Sequence, residues 1–190
     1  MDCVKSGMDV IDHGDELDDE IIAEMVKRGT YLTPSMMFLK RLLGTSTGSI
    51  HGMDMNGPAE KAFHNLVKML PRAQKAGVKI VPGDDFGLKF MPHDEQGIYA
   101  KELEIYVKDC GISAIDVLTW STKNVAQLMG RKDLGGIAEG MMADLLVVKG
   151  DPTKDIAVLT DPERNLDAVM LGGKFIKDRG LGTPARAAAE

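Results

Sequence analysis

Few side chains in this sequence can move protons or hold a metal ion. The four histidines stand at positions 13, 51, 64 and 93. His13 closes the short apolar run Met8-Asp9-Val10-Ile11 after Asp12 and is followed at once by Gly14. A second apolar run, Val78-Lys79-Ile80-Val81, leads into Pro82-Gly83-Asp84-Asp85, and His93 follows in Met91-Pro92-His93-Asp94. Imidazole and carboxylate are the groups that coordinate divalent cations and accept protons in hydrolytic chemistry. Taken alone, each setting also fits a plainer role. His13 reads equally as a turn residue, Asp84 and Asp85 as a solvated acidic turn after Pro82, and His93 as an exposed loop residue. His64 lies inside a helical stretch and reads as structural, and His51 sits in a long polar connection. Nowhere does the sequence contain His-x-His. Cys3 and Cys110 lack metal-type spacing and read as two free thiols in a reducing compartment.

The elements that must position these groups follow a regular order. The run ending at His13 reads as a strand. Leu17 to Arg28 is amphipathic, with Ile21, Ile22, Met25 and Val26 at helical spacing and Asp18, Asp19 and Glu20 in its first turn. Gly29 stops that helix, and Thr30-Tyr31-Leu32-Thr33 reads as a second strand closed by Pro34. A connection rich in Gly, Ser and Thr over 44–57 precedes a helix from about Pro58 to Ala76, which Pro71 is expected to kink or interrupt. Val78 to Val81 is a third strand. Short apolar strands alternating with helices are the pattern of a parallel α/β protein. Helical stretches follow over about 97–109, 113–120 and 121–129, with Ser113 and Ser121 as expected N-caps. Beyond Leu134 the period becomes two, with strands at 143–148, 167–171 and 174–177 and a Gly172-Gly173 hairpin. The change of period places a boundary near Gly130, dividing the chain into units 1–130 and 131–190.

Length and charge bound the possible functions. A chain of 190 residues supports one substantial core. With 29 acidic against 23 basic side chains the net charge is −6, which gives no electrostatic support to a nucleic-acid or anionic-membrane partner. No apolar run is long enough to span a bilayer, and the opening Met-Asp-Cys-Val-Lys does not resemble a secretory signal, so a cytoplasmic protein is expected. Thirteen methionines point to adaptable packing surfaces.

The blocks Ile11-Asp12-His13-Gly14 with Leu17-Asp18-Asp19-Glu20, Gly29 to Pro34, Ala76 to Ile80, Gly83-Asp84-Asp85 and Ser121 to Ala126 resemble the amidohydrolase superfamily. The likeness is to its imidazolonepropionase-like and Xaa-Pro or Xaa-Arg dipeptidase branch. It continues through Leu134-Gly135, Gly140, Ala143 to Val148, Asp151-Pro152 and Gly172 to Lys174, in family order over nearly the whole chain. The resemblance implies an α/β fold: the last three βα units of a (β/α)8 barrel, strands six to eight, over 1–130, and a C-terminal portion of a β-sandwich over 131–190. Strands one to five have no counterpart in this sequence.

The resemblance also implies roles. His13, at the end of strand six, inherits a metal-ligand position. Family members carry Gly-Thr-Asp after strand eight, and here Gly83-Asp84-Asp85 puts Asp85 in the position of metal ligand and general base, with Asp84 replacing the usual Thr. Adjacent residues point to opposite faces, so Asp85 alone is expected to reach the metal. His93, on the following loop, inherits a substrate-contacting position. The implied activity is hydrolysis of an amide, ester or phosphoester bond of a small molecule by metal-activated water, with a divalent metal, zinc above all. Two ligands fall short of the three that catalytic zinc normally takes from protein. The open strand edges favour a homodimer or higher homo-oligomer. An inactive fragment or interaction module, or one half of a two-chain hydrolase, are the alternatives.

Overall fold

The computed structural model describes residues 1–43, 49–50, 53–54, 56–83, 85 and 98–181. A one-turn helix α1 (Asp2–Lys5) precedes strand β1 (Val10–Asp12) and helix α2 (Asp19–Arg28). The Asp18 side chain accepts a hydrogen bond from the Ile21 N–H at 2.8 Å, which caps α2 at its N-terminus. Gly29, with φ 73°, ends it in the left-handed conformation that glycine reaches without a Cβ penalty. Strand β2 (Tyr31–Thr33), helix α3 (Met36–Leu42), the short strands β3 (Ser49–Ile50) and β4 (Met53–Asp54), helix α4 (Asn56–Ala76) and strand β5 (Lys79–Ile80) follow.

Strands β1, β2 and β5 form one parallel sheet with β2 in the middle. Val10 pairs with Tyr31, Ile11 with Leu32, and Leu32 in turn with Ile80. Parallel neighbours need a crossover, and α2 and α4 supply it. Leu32 and Ile80 are fully buried beneath Leu66, Leu70 and Ala73 of α4. Met25, Met36, Met37 and Met69 are buried in the same core, so part of the methionine excess fills irregular gaps between helices and sheet.

Helix α5 (Ile98–Lys108) then leads into one continuous helical run: α6 (Ala114–Thr119), a π turn over Trp120–Asn124, and α7 (Val125–Leu128). The remainder is an antiparallel sheet of β6 (Leu145–Val148), β7 (Leu166–Leu171) and β8 (Lys174–Asp178), interrupted by a 3-10 helix at Ile156–Thr160 and by α8 (Pro162–Asn165). Gly172 and Gly173, both at positive φ, turn β7 into β8 as expected. The chain is thus a mixed α/β fold.

Several local expectations need correction. Pro71 does not interrupt α4, which runs unbroken from Asn56 to Ala76. Proline removes one N–H from the ladder. Buried Leu66, Met69, Leu70 and Ala73 on either side of it offset that loss. Ser121 is no N-cap: its hydroxyl donates to the Val117 carbonyl at 2.9 Å from within the helical run. Ser113 does cap α6, accepting from the Asp116 N–H. Helices α1, α3 and α8 and the 3-10 helix are too short to carry a clear amphipathic period in the sequence.

Neither cysteine is in a disulfide; Cys3 is exposed and Cys110 is buried against the Met36 sulfur. Burial first, and then the nearby Asp109 and Glu102 carboxylates, push the Cys110 thiol up to about 12. A protonated thiol is a poor nucleophile. A thiol-disulfide reagent should therefore label Cys3 in the native protein and reach Cys110 only after denaturation, read by mass spectrometry of the two cysteine peptides.

Candidate metal centre

Among the described residues three non-glycine side chains have positive φ: His13 (65°), Ser35 (53°) and Asp85 (56°). Each follows the C-terminal end of one strand of the parallel sheet: His13 after β1, Ser35 after β2, Asp85 after β5. Left-handed backbone at a residue bearing a Cβ costs on the order of 1 kcal/mol or more and persists only where the surroundings impose it. At His13 the ladder does so, because its N–H donates to the Thr33 carbonyl at 2.7 Å, one residue past the last paired position of β1.

These bends bring two sequence-distant groups together. His13 Nε2 stands 3.6 Å from Asp85 Oδ2, with the side chains 42% and 49% exposed. Two ligand atoms about 2.0–2.2 Å from one tetrahedral cation stand roughly 3.3–3.6 Å apart. The separation fits a chelating pair, and the donor set of one imidazole and one carboxylate suits zinc. No third His, Cys, Asp or Glu joins them among the described residues. His93, Asp84 and His51 lie outside the described residues. His64 lies on α4, exposed, with Nδ1 2.9 Å from the Glu60 carbonyl oxygen, and takes no part.

The loops around the pair are tightly fitted. The Phe38 ring of α3 lies 6.3 Å from the His13 ring, centroid to centroid. A Cβ placed on Gly83 would come within 2.4 Å of Thr33 Cγ2, so the chain leaving β5 can lie against the end of β2 only with glycine there. On the outer side of β5, Asn124 Nδ2 donates to the Ile80 carbonyl at 2.8 Å. Val81 N–H donates to Leu32 O, so Ile80 faces away from β2, and Asn124 supplies the donor that a further strand would give.

A largely apolar cavity of about 440 Å³ opens behind Gly83, bounded by Pro82, Leu103, Leu146, Leu159 and Leu166. Neither His13 nor Asp85 lines it. No helix among the described residues is long and apolar enough to cross a membrane.

Residues 1–176 match the amidohydrolase family. The chain belongs to that family. It is 27% identical over 171 residues to an uncharacterized protein of Mycobacterium tuberculosis, covering 90% of this chain and 43% of the relative. It is 25% identical over 184 residues to ochratoxinase of Aspergillus niger, covering 96% of this chain and 36% of that protein. Among solved structures, a Xaa-Pro dipeptidase with bound methionine superposes with a TM-score of 0.75 at 29% identity, over 92% of this chain and 41% of that one. The A. niger ochratoxinase structure does so with a TM-score of 0.78 at 24% identity, over 94% and 39%. This amidohydrolase chain spans less than half the length of these relatives.

His13 and Asp85 were legible in the sequence through family motifs. Phe38, Ser35 and Thr33 were not singled out, and Asn124 stood in a motif without a role. The close approach at Gly83 yields a test. Gly83→Ala should destabilise the protein by about 1–3 kcal/mol in urea denaturation. Thr33→Ser removes the obstructing Cγ2, so the double variant should recover most of that loss, a non-additivity that a denaturation cycle measures.

Proposed function

We propose that this chain is the part of a metal-dependent hydrolase that carries strands six to eight of a (β/α)8 barrel, over 1–130, and a portion of its β-sandwich, over 131–190. The supporting observation is the 3.6 Å approach of His13 Nε2 to Asp85 Oδ2 at the C-terminal ends of parallel strands, where (β/α)8 enzymes place their chemistry. The hydrolase family and the dipeptidase and ochratoxinase likenesses favour hydrolysis of a small-molecule amide, ester or phosphoester.

His13 and Asp85 would hold a divalent ion, zinc by donor type, each through one atom. When bound, the ion supplies Lewis acidity and lowers the pKa of water. Asp85, half-exposed at the mouth, accepts the proton from the attacking water through its carboxylate. His13 is held by the β1–β2 ladder through its N–H, and the Phe38 ring flanks its imidazole. On this reading His93, from the loop after β5, contacts substrate.

Two ligands leave coordination positions open. We propose that they are completed by groups outside the pair, supplied by a second copy in a homodimer or by further polypeptide of the kind the longer relatives possess. The antiparallel sheet leaves apolar side chains exposed on both of its faces, among them Val147, Phe175 and Ile176, which association could cover in part.

The decisive experiment pairs metal analysis with mass in solution. Zinc-dialysed protein should retain metal and hydrolyse an activated aryl ester, and a chelator should abolish turnover. Asp85→Asn and His13→Ala should each weaken zinc binding about tenfold or more, since each removes a ligand. Activity that survives both the chelator and Asp85→Asn would overturn the metal mechanism. Light scattering that finds a folded monomer would overturn the dimer.

A further inference from the structure

Helix α5 carries a buried carboxylate that the proposed chemistry does not use. Glu102 is 2% exposed, although it sits in the charged segment Lys101-Glu102-Leu103-Glu104. Its Oε1 accepts from the Met36 N–H at 2.8 Å, and its Oε2 accepts from the neighbouring Met37 N–H. A buried anion is costly to desolvate, and charge-assisted bonds to backbone N–H groups offset part of that cost. Both donors belong to the first turn of α3, immediately after left-handed Ser35. Ser35 is itself buried.

That turn lies against the exit of β5. A Cβ on Gly83 would meet Thr33 Cγ2 at 2.4 Å and Ser35 Oγ at 3.6 Å. One helical turn beyond Glu102, Tyr106 is fully buried, with its hydroxyl beside the Glu102 carboxylate and the Gly83 backbone. Burial raises that hydroxyl well above the usual phenol range, and the Glu102 carboxylate adds to the rise while the Gly83 backbone opposes it. Glu102 and Tyr106 therefore present polar groups from one face of α5 to the loops after both β2 and β5.

We propose that Glu102 is a positioning residue for the candidate centre: by clamping the Met36 and Met37 N–H groups it fixes the Ser35 turn on which Gly83 rests, and so sets where Asp85 stands relative to His13. The inference rests on the metal reading only for its consequence in binding. The placement itself can be read without metal.

The test uses the whole chain with Glu102→Gln, which keeps the size but loses one acceptor, and Glu102→Asp, which keeps the charge but shortens the reach. Amide 15N–1H spectra are recorded without metal, alongside thermal midpoints and zinc titration calorimetry well below those midpoints. In both variants the Gly83 and Asp85 amide signals should shift along with those of Ser35 to Met37. Zinc affinity should fall by about tenfold. A merely structural role would lower the midpoint and disturb Ser35 to Met37 while leaving Gly83 and Asp85 in place, and that result would overturn the proposal. If wild type takes up no zinc while the Gly83 and Asp85 signals still move, positioning by Glu102 stands and the metal reading falls. If Gln fails to fold, Asp decides by the same signals.

Discussion

Strand β2 is three residues long, yet it is hydrogen-bonded on both sides, and the candidate centre depends on that double pairing. Thr33 O takes the His13 N–H and Leu32 O takes the Val81 N–H, so the exits of the strands on either side are pinned to consecutive carbonyls of β2. Neither β1 nor β5 pairs with the other directly. The distance between imidazole and carboxylate is therefore set by the width of two parallel ladder steps together with the bends that follow them. Leu32 is fully buried and anchors the strand in the core. Short strands suffice because the core, rather than ladder length, holds them in place.

How far the sequence reveals this depends on what kind of signal each residue leaves. His13 follows one apolar run and precedes Gly14, Asp85 follows another two residues after Gly83, and family motifs surround both. The order of strands and helices was also legible, since each short apolar run is bounded by Gly, Pro or acidic residues. Glu102 was not picked out because its neighbours Lys101 and Glu104 make it look like part of a solvated face. A signal was nonetheless present: Glu102 sits three and four positions before Ile105 and Tyr106, both buried, which puts an acid on the apolar stripe. Ser35 left no such trace. A left-handed serine is imposed by tertiary contacts, and serine shows no preference for that conformation that a sequence pattern could reveal. Pro71 misled in the opposite direction, because a strong local signal was outweighed by burial along both flanks of α4.

Helix α5 joins the two regions of the fold. Glu102 bonds the α3 turn and, with Leu103, also borders the cavity shared with Leu146 and Leu166 of the antiparallel sheet. Ile156, from the 3-10 helix, completes the same core that holds Ile105 and Tyr106. The antiparallel region is thus packed onto the helix whose Glu102 bonds the α3 turn.

The π turn at Trp120–Asn124 holds one residue more than the α-helical winding on either side of it would. It lets buried Trp120 face the core while Asn124, only four positions on, reaches the Ile80 carbonyl. The same turn leaves no room for a side chain at Gly135, where a Cβ would meet Ala126 Cβ at 2.7 Å and the Thr122 carbonyl oxygen at 2.8 Å. A one-residue deletion here would restore regular α-helical winding and alter composition very little. Because the wide turn takes up that residue, the helix beyond it would keep nearly the same rotation, and the deletion would remove only the local bulge from which Asn124 reaches β5.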